Sequence, residues 1–273
     1  MKTKHLFPLL SLVALSAFAQ VVPNKDYVTF LPSSSASLGT PETFDNMPSA
    51  IDITNNAVYI TGYSRLLPSG SRNYVLIKYH RSSGAVLWSK EFDYAGLNDR
   101  ITSLAIDNSG NVLVTGEATS VANGTDILTQ KYDANGNLLW SKAYNGSSNS
   151  NDGGLGIATD ISGDVYVCGY SSNTGTGKDF TVIKYNNAGV QQYVYTKNGT
   201  ANGDDQANAI VSFGNKLYLV GNINNTGTNT DIYTTRLNSN NAFVNWSKTE
   251  NGTANGADQG LDIRVQGNDV LVC

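Results

Sequence analysis

The amino-acid sequence predicts an all-β fold, a β-propeller of four-stranded blades, and three observations carry that prediction. Columns of like residues recur about every 53 residues. The strand-like runs are apolar at successive positions rather than alternating. No stretch after the N-terminal segment shows apolar residues at helical spacing over a helical length. The composition agrees. Of 273 residues only 15% are charged, while glycine (27) and asparagine (32) are abundant, a mixture that suits short strands and tight turns.

The N-terminus comes first. Met1-Lys2-Thr3-Lys4, an apolar run from Leu6 to Ala14, and Ala17-Phe18-Ala19 read as a secretory signal peptide cleaved after Ala19. The run is too short to span a bilayer and Pro8 interrupts it, so no membrane span is expected. Cleavage removes Lys2, Lys4 and His5, which leaves His80 as the single histidine and makes an already negative chain more so. Nucleic acid is therefore excluded as a partner. Localisation is read as secreted: extracellular, cell-surface or periplasmic. Residues 20–44 form an N-terminal segment in which Tyr27-Val28-Thr29-Phe30 resembles Tyr193-Val194-Tyr195-Thr196 and is read as a ring-closing strand.

The repeats follow. An apolar run ends in glycine at Gly62, Gly116, Gly169 and Gly221. Lys78-Tyr79, Lys131-Tyr132, Lys184-Tyr185 and Arg236-Leu237 form a second column, and Trp88, Trp140, Tyr193 and Trp246 a third. Asp45, Asp99, Asp152, Asp205 and Asp258 form a fourth. Units run 45–98, 99–151, 152–204 and 205–257, with a partial unit 258–273. Within the second unit the expected strands are 103–107, 111–116, 126–132 and 137–144, with a longer loop between the second and third. Gly110, Gly136, Gly163 and Gly189 fall where hairpins need positive φ. A propeller closes at about 4–8 blades, so four whole units and half of a fifth read as a fragment lacking roughly two or three blades.

The motif Gly163-Asp164-Val165-Tyr166-Val167-Cys168-Gly169, then Lys-Tyr, an aromatic strand and Tyr-Asn-Gly-x5-Asp, resembles the SBBP-type β-propeller repeats of secreted bacterial proteins. The resemblance covers residues 45–273. It implies a ring of about seven blades and is specific for fold rather than for function.

Each chemistry-bearing residue then has two readings. Asp45, Asp99, Asp152, Asp205 and Asp258 open the first strand of each unit, nearest the channel. As a rim ring they are the candidate metal site, with Ca²⁺ as the cation that carboxylates suit. Repetition in every unit favours a structural role instead, each Asp accepting amide hydrogen bonds from the preceding loop. No cofactor and no catalytic residue is assigned. A single mature histidine leaves no Ser-His-Asp triad. The turn residue His80 is read as solvated. Cys168 and Cys273 share one repeat position two blades apart, too far for a disulfide, and are read as small buried thiols. Asp126, Asp179 and Asp231 open the third strand, and Lys78, Lys131, Lys184 and Arg236 lie on its opposite face, read as forming ion pairs to neighbouring blades. The Trp column resembles the tryptophan-docking repeats of pyrroloquinoline-quinone dehydrogenases, although the adjacent cysteine pair of those enzymes is missing. The functional expectation is a secreted non-catalytic binding, adhesion or scaffold module, taking a glycan or protein on its variable loops. An extracellular propeller enzyme, a polysaccharide lyase or quinoprotein, is the alternative.

Overall fold

The structure is a computed structural model that describes residues 47–54, 57–65 and 71–273. The expected signal peptide, the expected ring-closing strand over Tyr27–Phe30 and Asp45 lie outside the described residues. Among those residues there is no helix. Four sheets of four strands follow one another: β1 (Met47–Ile53), β2 (Ala57–Arg65), β3 (Arg72–His80) and β4 (Val86–Phe92); β5 (Asp99–Ile106), β6 (Val112–Ser120), β7 (Gly124–Tyr132) and β8 (Leu138–Tyr144). Then come β9 (Gly153–Thr159), β10 (Val165–Asn173), β11 (Gly177–Tyr185) and β12 (Gln191–Lys197); β13 (Gln206–Phe213), β14 (Lys216–Asn225), β15 (Asn229–Asn238) and β16 (Val244–Glu250). The hairpin β17 (Ile263–Gln266) and β18 (Asp269–Val272) closes the series. Each sheet is an antiparallel meander in sequence order. First strands pack on first strands, β1 on β5, β5 on β9, β9 on β13 and β13 on β17, so the sheets fan out from a common inner edge as propeller blades.

The unbroken apolar runs have a direct cause. In β6, Val112 and Val114 pack into the core shared with the first blade, while Leu113 packs into the core shared with the third. In β10, Val165 and Val167 face the second blade, and Tyr166 and Cys168 the fourth. Both faces are dry, so both parities are apolar. Burying each such side chain contributes about 1.5–3 kcal/mol. The outermost strands differ: β4 and β8 are largely exposed along their length.

The expected boundaries shift in one respect. β6 runs four residues past Gly116, and β7 begins at Gly124, so the second and third strands are joined by a short turn rather than a longer loop. The glycine column marks a close approach, not a strand end. Opposite it the first strand bulges, between Ile101 and Ser103 in the second blade and at the Cys168/Gly169 step in the third. A Cβ on Gly116 would sit 1.9 Å from Arg100 O, and one on Gly169 1.9 Å from Gly153 O. Gly110, Gly136, Gly163 and Gly189 have φ of 77–80°, as hairpin chemistry requires.

Candidate functional site

The rim aspartates sit one to each blade junction. Asp99, Asp152 and Asp205 are buried, and Asp258 is half-buried. Asp152 Oδ2 accepts from Gly146 N (2.6 Å) in the preceding loop, and its Oδ1 from Ser172 N (2.6 Å) at the end of β10. Asp205 repeats this with Gly199 N (2.6 Å) and Asn224 N (2.5 Å), and Asp99 with Tyr94 N (2.6 Å) and Thr119 N (3.2 Å). Asp258 accepts from Gly252 N at 2.7 Å. The amide of the same residue donates backwards, Asp152 N to Thr125 O (2.6 Å) and Asp205 N to Lys178 O (2.7 Å). One residue thus ties its own blade to the blade and loop before it. The loop glycine is obligatory here, because a Cβ on Gly146 would meet Ser172 O at 2.2 Å.

Burial raises the carboxyls of Asp99 and Asp205 to about 6, against the opposing pull of their amide bonds. Asp152 is raised by the same cause. The rim carboxylates are distributed among junctions and held by amides, and among the described residues no cluster of three or more His, Cys, Asp or Glu is placed to hold a metal.

The basic column differs from expectation. Its ion pairs lie within a blade: Lys131 Nζ to Asp107 Oδ2 (2.9 Å) and Lys184 Nζ to Asp164 Oδ2 (3.0 Å), both acids in the turn between first and second strands. Across blades, among the described residues, the column meets neutral oxygens only, Lys131 Nζ donating to Asn187 Oδ1 at 2.5 Å. Lys78 Nζ and Trp88 Nε1 both donate to Ala134 O, at 2.8 and 3.1 Å. Trp140 Nε1 donates to Asn187 O (3.1 Å) and Tyr193 OH to Ser239 O (3.2 Å). The reason is reach. The next blade presents backbone carbonyls and the Asn187 amide of its third turn to this column, and the acids that pair with it belong to the same sheet.

Cys168 is fully buried and burial pushes its thiol up, whereas Cys273 is exposed, which corrects the expectation of two buried thiols. No neighbouring sheet covers Cys273 among the described residues. His80 is exposed in its turn, with Ser82 and Ser83 hydroxyls 3.3 and 3.0 Å from Nδ1.

The loop face carries a clasp and a groove that the sequence did not reveal. Ser147 N and Oγ donate to Asn173 Oδ1 (both 3.1 Å), and Thr174 N donates back to Ser147 Oγ (3.1 Å). Thr200, Asn225 and Thr226 repeat the clasp one blade on. Beside the first clasp lies a wide, open groove of about 520 Å³, walled in part by Ser148, Ser150, Lys178 and Asp204. Lys178 Nζ lies 4.6 Å over the Tyr170 ring and 3.9 Å from Asp204 Oδ2. Asp204 is largely exposed, so this ion pair has little worth for stability.

No protein-family model matches the chain, and no curated protein matches it. Solved structures do. The Dos1 propeller is 11% identical, with a TM-score of 0.51, over 83% of this chain and 64% of its own. Quinohemoprotein alcohol dehydrogenase from Comamonas testosteroni is 14% identical over 73% of this chain (TM-score 0.48), and the WD40 domain of Toxoplasma gondii coronin 8% identical over 76% (TM-score 0.44). This chain spans 35% of the length of that dehydrogenase. The likeness to the Dos1 propeller is one of fold, a β-propeller, and a fold does not by itself specify a function. Among the described residues no helix is long and apolar enough to cross a membrane.

Proposed function

We propose that this chain is a secreted, non-catalytic β-propeller of the SBBP-repeat type, with the unit boundaries read from the sequence, that binds a glycan or protein on its loop face. One observation carries the reading: the recurring rim carboxylates are spent on loop amides, whereas the Lys178–Asp204 pair in the groove faces solvent. Buried carboxylates held by two amides tie blades together and are poorly placed to move protons or attack substrate. An exposed carboxylate and a half-buried ammonium beside serine hydroxyls suit a hydroxyl-rich ligand. Secretion is supported by the basic, apolar and Ala-x-Ala order of residues 1–19.

The test is a panel of oligosaccharides and surface proteins applied to the full chain, with turnover assayed on the same panel. Binding without cleavage is expected. Lys178→Ala with Asp204→Ala should weaken it about tenfold, a loss of ~1.4 kcal/mol. Cleavage of any bound glycan would sink the non-catalytic reading.

A further inference from the structure

Among the described residues three junctions carry a buried aspartate oxygen that no donor reaches, on Asp126, Asp179 and Asp231, and at the first two a neighbouring asparagine oxygen is left without a donor as well. Asp126 lies in β7 and Asn145 directly follows β8. Ile127 pairs with Tyr144, so Asp126 and Asn145 are neighbours at the next step of the ladder. Asp179 and Asn198 stand in the same relation beyond the Phe180–Lys197 pair. All four Oδ1 atoms are buried and have no hydrogen-bond partner among the described residues. Asp126 and Asp179 are only 4% and 5% exposed.

These side chains are not free to turn away. Asn145 Nδ2 donates to Asn149 Oδ1 (2.7 Å) and Asn198 Nδ2 to Asn202 Oδ1 (2.6 Å), with each amide oxygen on the opposite side. Asp179 Oδ2 accepts from Asn173 Nδ2 (3.0 Å) and Thr176 Oγ1 (2.9 Å), which leaves Oδ1 as the orphan. A second carboxylate stands close to each pair, for Asp152 accepts from the amide of Gly146, which follows Asn145, and Asp205 from that of Gly199, which follows Asn198. At the later junction Lys197 offsets part of that charge, with its ammonium on Asn198 O (2.8 Å). At the earlier one Tyr144 stands where Lys197 does. The junction between the first two blades is the contrast. There Asn73 Nδ2 donates to Glu91 Oε1 (3.2 Å), Asp93 Oδ1 accepts from Gly96 N (2.9 Å), and neither is orphaned.

Buried acceptors without donors, set beside a second carboxylate, call for a positive charge. We propose that each of these two junctions binds a hard cation, Ca²⁺ by its oxygen-only ligands: Asp126 and Asn145 Oδ1 with the Asp152 carboxylate, and Asp179 and Asn198 Oδ1 with Asp205. The rim carboxylates keep their amide bonds, since each oxygen has a second lone pair. Waters complete the roughly six to eight oxygens that Ca²⁺ takes. The ion links the outer strands of one blade to the inner strand of the next.

The experiment uses the full chain, stripped with chelator and reloaded. Metal analysis should find about two Ca²⁺ per chain, and saturating Ca²⁺ should raise Tm by about 5 °C or more. Tb³⁺ should bind in its place and luminesce on tyrosine excitation, because Tyr144 lies near Asp152. Asp126→Asn with Asp179→Asn should abolish the Tm rise and the Tb³⁺ signal, while Asp133→Asn, in an exposed turn, keeps both. A wild-type chain with neither metal nor Tm response overturns the proposal and assigns the orphaned oxygens to ordered water. So does a response that the double variant retains. Should that variant fail to fold, wild-type metal content and Tb³⁺ emission decide. The outcome is independent of any ligand in the groove.

Discussion

A buried aspartate is costly unless its charge is met, and the rim aspartates show how this chain meets it. Two backbone amides hold each carboxylate of Asp99, Asp152 and Asp205, yet burial still raises their proton affinity. The sign follows from linkage. A carboxyl whose folded pKa lies above its unfolded value adds stability that is fully present below about pH 4 and lost as pH rises through about 6. The groups that face Asp205 are Asp179, which adds to the rise, and Lys197, which opposes it; Asp93 faces Asp99. Asp107, held low by Lys131 and Asn111 in spite of burial, works in the opposite sense at more acid pH. In chelator, Tm should therefore rise between pH 7 and pH 5, and Asp205→Asn should flatten that slope. A Tm that falls across this range in the parent chain would contradict the assignment.

At the scale of the element, the glycine column decides the shape of the blade. Gly116, Gly169 and Gly221 sit where the bulged first strand presses its carbonyl against the second strand. The contact forbids any side chain. Gly169→Ala should cost more than about 3 kcal/mol or prevent folding, since the bulge has to move. Gly175 has open space around it but φ of 88°, so Gly175→Ala should cost about 1 kcal/mol. Urea unfolding of the two variants separates the two mechanisms. The column was legible in the sequence, but its cause was not: a recurring Gly after an apolar run looks the same whether it ends a strand or lets one strand press on another.

For the whole molecule, each core is shared by two blades. Tyr74 and Leu76 of the first blade pack with Val112 and Val114 of the second, and Tyr166 and Phe180 of the third with Leu217 and Tyr233 of the fourth. No blade keeps a dry core alone, so stability is a sum over neighbours. Trp88, Trp140 and Trp246 report on three different junctions. Thermal unfolding followed by tryptophan fluorescence and by far-ultraviolet circular dichroism should coincide in one transition. Separate midpoints would mean that the blades melt individually.

The sequence by itself determined the period, the strands, the hairpin glycines and the two-sided burial, because each is written in local residue types and their spacing. It marked Asp99, Asp152 and Asp205 as a column that accepts amides of the preceding loop, without the second amide, from the end of the second strand, that each also holds. Only the tertiary structure decided that the Lys column pairs within its blade, that Ser147 and Asn173 clasp two loops, and that the oxygens of Asp126 and Asn145 are left without donors. Those facts depend on atoms distant in the chain meeting at a junction, and a linear pattern carries no information about which acceptor finds a donor once the blades have packed.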